Sequence, residues 1–310
     1  MTSVPLRDSV SHDPIALSPR QVGLILFALT LGGFAIGTGE FASMGLMPNM
    51  VASLGVTEPQ VGHLISAYAL GVVIGAPLLA ILGAGWKRKT LLLSLMAFYA
   101  LGNLASAWGP SYGSLLLFRF IAGLPHGAYF GVAALTAVAI SPPERRGRAV
   151  SLVMLGLTLA ILIGNPLATW AGQVLDWRWI YAAVAIIAVT TVALLAMWLP
   201  VHVDGPKTKP LDELRAFNRL PVWQALAIGA IGFAGMFAVF SYLAPTMLEV
   251  TGVSAAWIPL GLAGFGLGGV IGNFAGGWLY DRYKLRGAWV VLVWAIVALL
   301  AFPWMAQGLP

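Results

Sequence analysis

QVGLILFALTLGGFAIGTGEFASMGLM, residues 21–47, is an apolar run long enough to cross a bilayer as a helix, and it holds one carboxylate, Glu40. It is the only acidic residue inside any membrane-length stretch of the chain. A charge at that depth costs about 3 kcal/mol on insertion scales, so it marks a solute or ion pathway or a structural carboxylate tied to a neighbouring helix. The rest of the sequence sets its surroundings.

The chain has 310 residues, 59% hydrophobic and 9% charged. A soluble domain carries about 25% charged residues, and no soluble interior hides this apolar fraction. Nine membrane-length runs follow one another, at 21–47, 60–83, 90–108, 113–140, 149–173, 178–199, 222–246, 255–280 and 288–306. Thr57 and Gln60, with Pro59 between them, form a helix-start signal for the second run. The first twenty residues include Arg7, Asp8, His12, Asp13 and Arg20, too polar for a signal-peptide core, so the first run is expected to remain as a span. Cysteine is absent, which excludes a disulfide framework and a thiolate metal site.

Charge alternates from loop to loop. Of the 17 Lys and Arg, all but Arg119 and Arg178 fall in the N-terminal tail or in every second connection: Lys87, Arg88 and Lys89; Arg145, Arg146 and Arg148; Lys207, Lys209, Arg215 and Arg219; Arg282, Lys284 and Arg286. The positive-inside rule puts these segments and the N-terminus in the cytoplasm. The net charge of +6 is thus a topology signal, and nucleic acid is not an expected partner.

A shift of 197 residues lays the chain on itself. Pro48, Met50, Gly55 and Val56 fall on Pro245, Met247, Gly252 and Val253, and Thr57 falls on Ser254. Val73, Ile74 and Gly75 fall on Val270, Ile271 and Gly272, and Lys87 falls on Lys284. The unit is six spans plus a linker, as in transporters built from parallel repeats. The expected fold is all-α integral membrane: a helical bundle of two parallel six-helix repeats, the second stopping after three spans. Its parts are a cytoplasmic tail at 1–20, an N-terminal half at 21–199, a linker at 200–220 with a short surface helix near 212–217, and a partial second half at 221–310. By this reading the chain lacks the last quarter of a twelve-span parent, and a fragment without transport activity is one alternative.

Arg119 is the only basic residue within a span. Glu40 precedes the outer end of span one by about eight residues and Arg119 follows the outer start of span four by about six, so both lie roughly 10 Å deep. Pairing would lower the cost of both. His126 is on the face of Arg119 and about 10 Å deeper, where it is either a cavity residue or a hydrogen-bonded packing histidine. Phe41, Tyr68, Tyr129 and Phe237 are candidate cavity walls. Gly264, Gly268, Gly272 and Gly276 recur every four residues in span eight, a face expected to admit a close neighbour. No nucleophile–base pair, phosphate loop or metal-ligand cluster occurs, and His12, His63, His126 and His202 are scattered. No enzyme activity, metal or cofactor is expected.

The segments GEFASMGLMP at 39–48, RFIAGLPHG at 119–127, Gly156 through Gly164-Asn-Pro166, and DWRW at 176–179 together resemble the major facilitator superfamily, and within it the drug:proton antiporters of the arabinose-efflux-permease-like kind. The resemblance covers nearly the whole chain. It implies secondary transport by alternating access in a bacterial cell membrane, as a monomer, with a small molecule (drug-like, sugar or nucleoside-like) and protons as partners. An uncoupled facilitator or importer is the alternative, with Glu40 binding solute directly. The family's gating loop, Gly-x-x-x-Asp-Arg-x-Gly-Arg-Lys, reads AILGAGWKRK at 80–89, where Lys87, Arg88 and Lys89 keep the basic end and Ala84 and Gly85 replace the Asp-Arg pair. The second copy, GWLYDRYKLR at 277–286, keeps Asp281 with Arg282 and Arg286. The resemblance implies that Asp281 latches onto the start of span five in the opposite half, unless it only sets topology. Gly156, Gly164 and Pro166 match the antiporter motif of span five, whereas Asn165, Thr169 and Trp170 stand where it has glycines.

Overall fold

The computed structural model describes residues 17–201, 218–283 and 285–307, and among them it is helical throughout, without a β-strand. A bilayer offers the backbone no water, so each span closes its hydrogen bonds within itself. In chain order the helices are α1 (Pro19–Gly45), α2 (Met47–Leu54), α3 (Glu58–Gly83), α4 (Arg88–Ala107), α5 (Tyr112–Ile140), α6 (Arg146–Leu159), α7 (Asn165–Val174), α8 (Arg178–Trp198), α9 (Leu220–Ser241), α10 (Ile258–Tyr283) and α11 (Leu285–Gln307). Counting α6 and α7 as one, nine candidate membrane spans lie among the described residues. The protein is a multi-pass helical bundle, as its sequence indicated. The surface helix expected near 212–217, most of the N-terminal tail and Lys284 lie outside the described residues.

Helix starts follow local chemistry. The Thr57 N–H donates to Gln60 Oε1 at 2.8 Å and opens α3 with a capping box. Ser18 with Gln21 opens α1 the same way. The first span ends sooner than its apolar run. Pro48 cannot supply an interior helical N–H, so the chain bends at Leu46 (φ −89°, ψ 1°) and restarts as α2. The second half breaks at the matching place. It bends at Tyr242, just ahead of Pro245, and then winds into a π-turn, Thr246–Val250. Gly55 (φ 64°) and Gly252 (φ 75°) are the described glycines with left-handed backbone, and they are 197 residues apart. The repeat seen in the sequence is therefore repeated geometry.

Span five is interrupted. Between α6 and α7 the residues Ala160–Gly164 form a π-turn, and the Asn165 N–H reaches back to Ala160 O. Pro166 would clash with a regular turn before it, and the extra residue relieves that clash. Span five also touches span one closely. A Cβ at Gly156 would strike Thr30 O and come within 2.7 Å of Phe34 N, and the Thr30 hydroxyl donates to Leu152 O at 2.8 Å.

Two seams organise the bundle. Inside the N-terminal half, α3 lies against α5: a Cβ at Gly71 would meet Phe120 O, at Gly75 Leu124 O, and at Gly123 Tyr68 O. Between the halves, Phe41 and Met44 of α1 pack with Phe240, Ala244, Ile258 and Leu262. Phe240 stacks on Phe265 at 4.5 Å and meets the Phe41 ring edge-on at 5.6 Å. The four-residue glycine stripe of α10 was expected to carry a close contact. Instead, among the described residues nothing lies within 4 Å of a Cβ built at Gly264, Gly268, Gly272 or Gly276, whereas one built at Gly266 would meet Leu162 Cα at 2.8 Å. Periodicity identified a face of small residues but not the residue aimed at the neighbour.

Gly75→Val should force α3 and α5 apart, since its side chain would meet backbone rather than a flexible side chain. The expected cost is about 1–3 kcal/mol, the range for overpacking. Thermal unfolding in detergent should show a lowered midpoint, and an unchanged midpoint would contradict this packing.

Candidate functional site

The charged site forms where α1, α3, α5 and α8 converge. Gly39 and Glu40 are adjacent on α1 and point about 100° apart around the helix axis. On one side the Arg119 Nη2 donates to the Gly39 carbonyl at 2.8 Å. The Arg119 guanidinium is fully buried and lies 4.5 Å from the Tyr68 ring centroid and 4.9 Å from that of Tyr181. Desolvated cation–π contacts contribute about 2 kcal/mol each. Its Nε and Nη1 make no hydrogen bond within the protein.

On the other side, Glu40 faces α5. Its Oε2 lies 3.8 Å from His126 Nδ1, both side chains being only partly exposed. The same His126 nitrogen is 3.0 Å from the Tyr68 hydroxyl. The Glu40–Arg119 pair expected from depth is thus not formed as an ion pair. Arg119 takes a backbone carbonyl and two aromatic faces, while the acid is left to the histidine. Arg119 remains within electrostatic reach of Glu40. Depth along the bilayer was readable from residue counts, but direction around each helix was not.

The other expected residues lie elsewhere in the bundle. Phe41 is buried in the seam between the halves, with the Phe237 ring 6.2 Å away. Tyr129 is fully buried in the N-terminal half, and its hydroxyl donates to Leu29 O at 2.8 Å. The basic end of the loop after α3 anchors neighbouring helices: Lys89 Nζ donates to Ala196 O at 2.6 Å and Arg88 Nη1 to Leu135 O at 3.3 Å. Ala196 lies in the last turn of α8, where a cation is favoured. Lys87 is exposed at the start of α4. Gly156, Gly164 and Pro166 lie along the contact of span five with α1; a Cβ at Gly164 would meet Thr38 Oγ1 and the Phe34 ring. Arg282 and Arg286 are exposed, and the side chain of Asp281 lies outside what the structure describes.

Several polar groups near the site were not singled out in the sequence. Tyr99 donates to the carbonyls of Ala35 and Ile36 at 3.2 and 3.1 Å. Ser43 Oγ and Tyr181 OH lie 2.6 Å apart, and this bond fixes the ring that covers Arg119. Asn165, at the π-turn, is fully buried with neither polar side-chain atom hydrogen-bonded within the protein. Its departure from the glycine pattern was the available signal. At the end of the bundle away from the basic loops, Pro48, Asn49, Ala52, Gln173, Leu248, Ala255 and Ile258 line a crevice of about 270 Å³ between the halves. Gln173 Nε2 closes it by donating to Ala255 O at 2.7 Å.

An all-helical, repeated membrane bundle with charged side chains buried in its interior is the architecture of a multi-pass transporter. The family model of the Major Facilitator Superfamily matches residues 29–309. The chain belongs to that family. It is 37% identical over 291 residues to the inner membrane transport protein YdhP of Escherichia coli, covering 93% of this chain and 74% of that protein. It is 35% identical over 277 residues to the putative transporter AraJ of Escherichia coli, covering 89% and 70%. A chloramphenicol resistance protein of Streptomyces lividans is 32% identical over 289 residues, covering 90% and 73%. A solved bacterial homologue of the human lysosomal transporter Spinster superposes with a TM-score of 0.73 at 19% identity, covering 87% of this chain and 64% of that one.

Removing one partner of the Ser43–Tyr181 bond should leave a buried hydroxyl unpaired. Tyr181→Phe is expected to cost about 1–3 kcal/mol and the double variant with Ser43→Ala clearly less. Thermal unfolding of the two single variants and the double one measures this, and additive losses would contradict the bond.

Proposed function

We propose that the protein is a proton-coupled exporter of a small organic solute that works by alternating access in the cell membrane, with its N-terminus in the cytoplasm. The observation that carries the reading is Glu40, an acid inside a membrane-length helix that is engaged by no direct ion pair with Arg119 and faces a histidine. A carboxylate locked into an Arg fork would be a structural fixture. This one is free to exchange a proton, with burial and the nearby guanidinium pulling its ionisation in opposite directions. The names of the relatives favour export: one confers chloramphenicol resistance. The alternating charge of the loops supports the orientation.

In this cycle Glu40 is protonated from the outer side while the halves part at the Phe41–Phe240 seam. It loses the proton toward the basic-loop side after the halves close. Arg119 holds α1, α3, α5 and α8 in register around that event. Solute and proton are proposed partners, and Tyr68, His126, Phe41 and Phe237 are proposed wall residues of the path. A monomer suffices for such a cycle. Asp281 is proposed to steady the basic-loop side of the seam together with Lys87, Arg88, Arg282 and Arg286.

The test uses inside-out membrane vesicles with an acid lumen, reported by a fluorescent amine. Chloramphenicol or a pentose, added as probe, should release lumenal protons with the wild-type protein and fail to do so with Glu40→Gln. Solute-driven proton release that survives in Glu40→Gln would sink the assignment. Solute that equilibrates after the gradient is collapsed, with no proton release at any stage, would establish an uncoupled facilitator.

A further inference from the structure

We infer that His126 is a second carrier of the transported proton, taking it from Glu40 and passing it toward the basic-loop side, with Tyr68 controlling when it can. This rests on the reading of Glu40 as the protonation site. The geometry that carries it is a chain of three titratable groups from three helices: Glu40 Oε2, then His126 Nδ1 at 3.8 Å, then the Tyr68 hydroxyl at 3.0 Å from that same nitrogen.

Nδ1 has a single in-plane position for a hydrogen bond. When the Tyr68 O–H donates to it, the ring is neutral with its hydrogen on Nε2, and Nδ1 cannot serve Glu40. The observed pair of distances matches that arrangement. For transfer, Glu40 must close on the ring by roughly 1 Å, to the length of a charge-assisted hydrogen bond. The carboxyl O–H bond then breaks and its electron pair stays on the carboxylate. The Nδ1 lone pair takes the proton, and the Tyr68 hydroxyl hydrogen turns away. The product is a carboxylate beside an imidazolium, which returns to neutral when the proton leaves to water on the basic-loop side.

The backbone around His126 permits the movement. Pro125 supplies no N–H, so the Ile121 carbonyl lacks its usual helical partner. The groups that face His126 from the packed helices all bear on the balance. Glu40 comes from α1 and Tyr68 from α3. Tyr99 of α4 lies beyond Tyr68, with its hydroxyl held by Ala35 and Ile36 carbonyls. Arg119 of α5 itself sits over the Tyr68 ring. The titratable side chains of α6, Arg146 and Arg148, are exposed at its far end. The Phe130 ring, 5.3 Å from that of His126, shields the imidazole on its own helix.

The protein reconstituted in lipid can be titrated by infrared spectroscopy, following the C=O stretch of the buried protonated carboxyl. Glu40→Gln identifies the band: it should vanish, and a band that persists there overturns the reading of Glu40 itself. With the band assigned, His126→Gln keeps a hydrogen-bonding side chain but cannot carry a proton. The band should then persist to a pH about one unit higher or more, because the carboxylate has lost its coupled acceptor. Tyr68→Phe frees Nδ1 and should move the band's loss to lower pH, and it carries the test alone if His126→Gln does not fold. A band midpoint unchanged from wild type in the folded variants overturns the relay while leaving Glu40 as the protonation site.

Discussion

A guanidinium with no solvent exposure is the constraint around which the N-terminal half is arranged. Arg119 can stay charged inside a membrane-length helix only if its surroundings replace water. The replacement is specific: one backbone carbonyl at Gly39 and the faces of Tyr68 and Tyr181. Each comes from a different helix, so one side chain ties α5 to α1, α3 and α8. The Ser43–Tyr181 bond then holds the second ring in place from α1. Arg119 takes the carbonyl of residue 39, and the side chain of residue 40 lies beside His126, two turns further along the same α5. Glu40 meets His126 instead of the guanidinium that lies at the same depth.

That division of labour suits the proposed role of Glu40 as a group that changes its protonation. An Arg–carboxylate fork would hold the acid ionised through every conformation. Here the fixed charge is satisfied by dipoles and π-faces, and the acid has only a histidine at 3.8 Å. The movement that would use this freedom has a mechanical basis. Span five is broken by a π-turn at Pro166 and lies against α1 through Gly156, while the halves meet over the aromatic cluster of Phe41, Phe240 and Phe265.

Much of this was legible in the residues. Nine apolar runs became nine candidate spans, since in a bilayer length and hydrophobicity leave the backbone one solution. The 197-residue repeat survived as geometry in Gly55 and Gly252, where a left-handed turn needs glycine in both copies. The site was legible in depth, because rise per residue is fixed, but not in azimuth. That is why Arg119 was expected on Glu40 and found on Gly39 O. The glycine stripe of α10 failed for the same reason: a small-residue face says that a neighbour can approach, not that one does. Tyr99, Tyr181 and Ser43 carried no signal, because a hydroxyl in an apolar run looks like any other until its partner helix is placed.

The central claim is that Glu40 exchanges a proton inside the bundle. A hydrophobic carbodiimide reacts with protonated, water-poor carboxyls, so its reaction at Glu40, followed by peptide mass spectrometry, reads that state directly. The account predicts modification of Glu40 at about pH 4 that fades by about pH 9, a window that brackets the ordinary carboxyl and imidazole ranges. Modification that is equal across that range, or absent throughout it, would contradict the account.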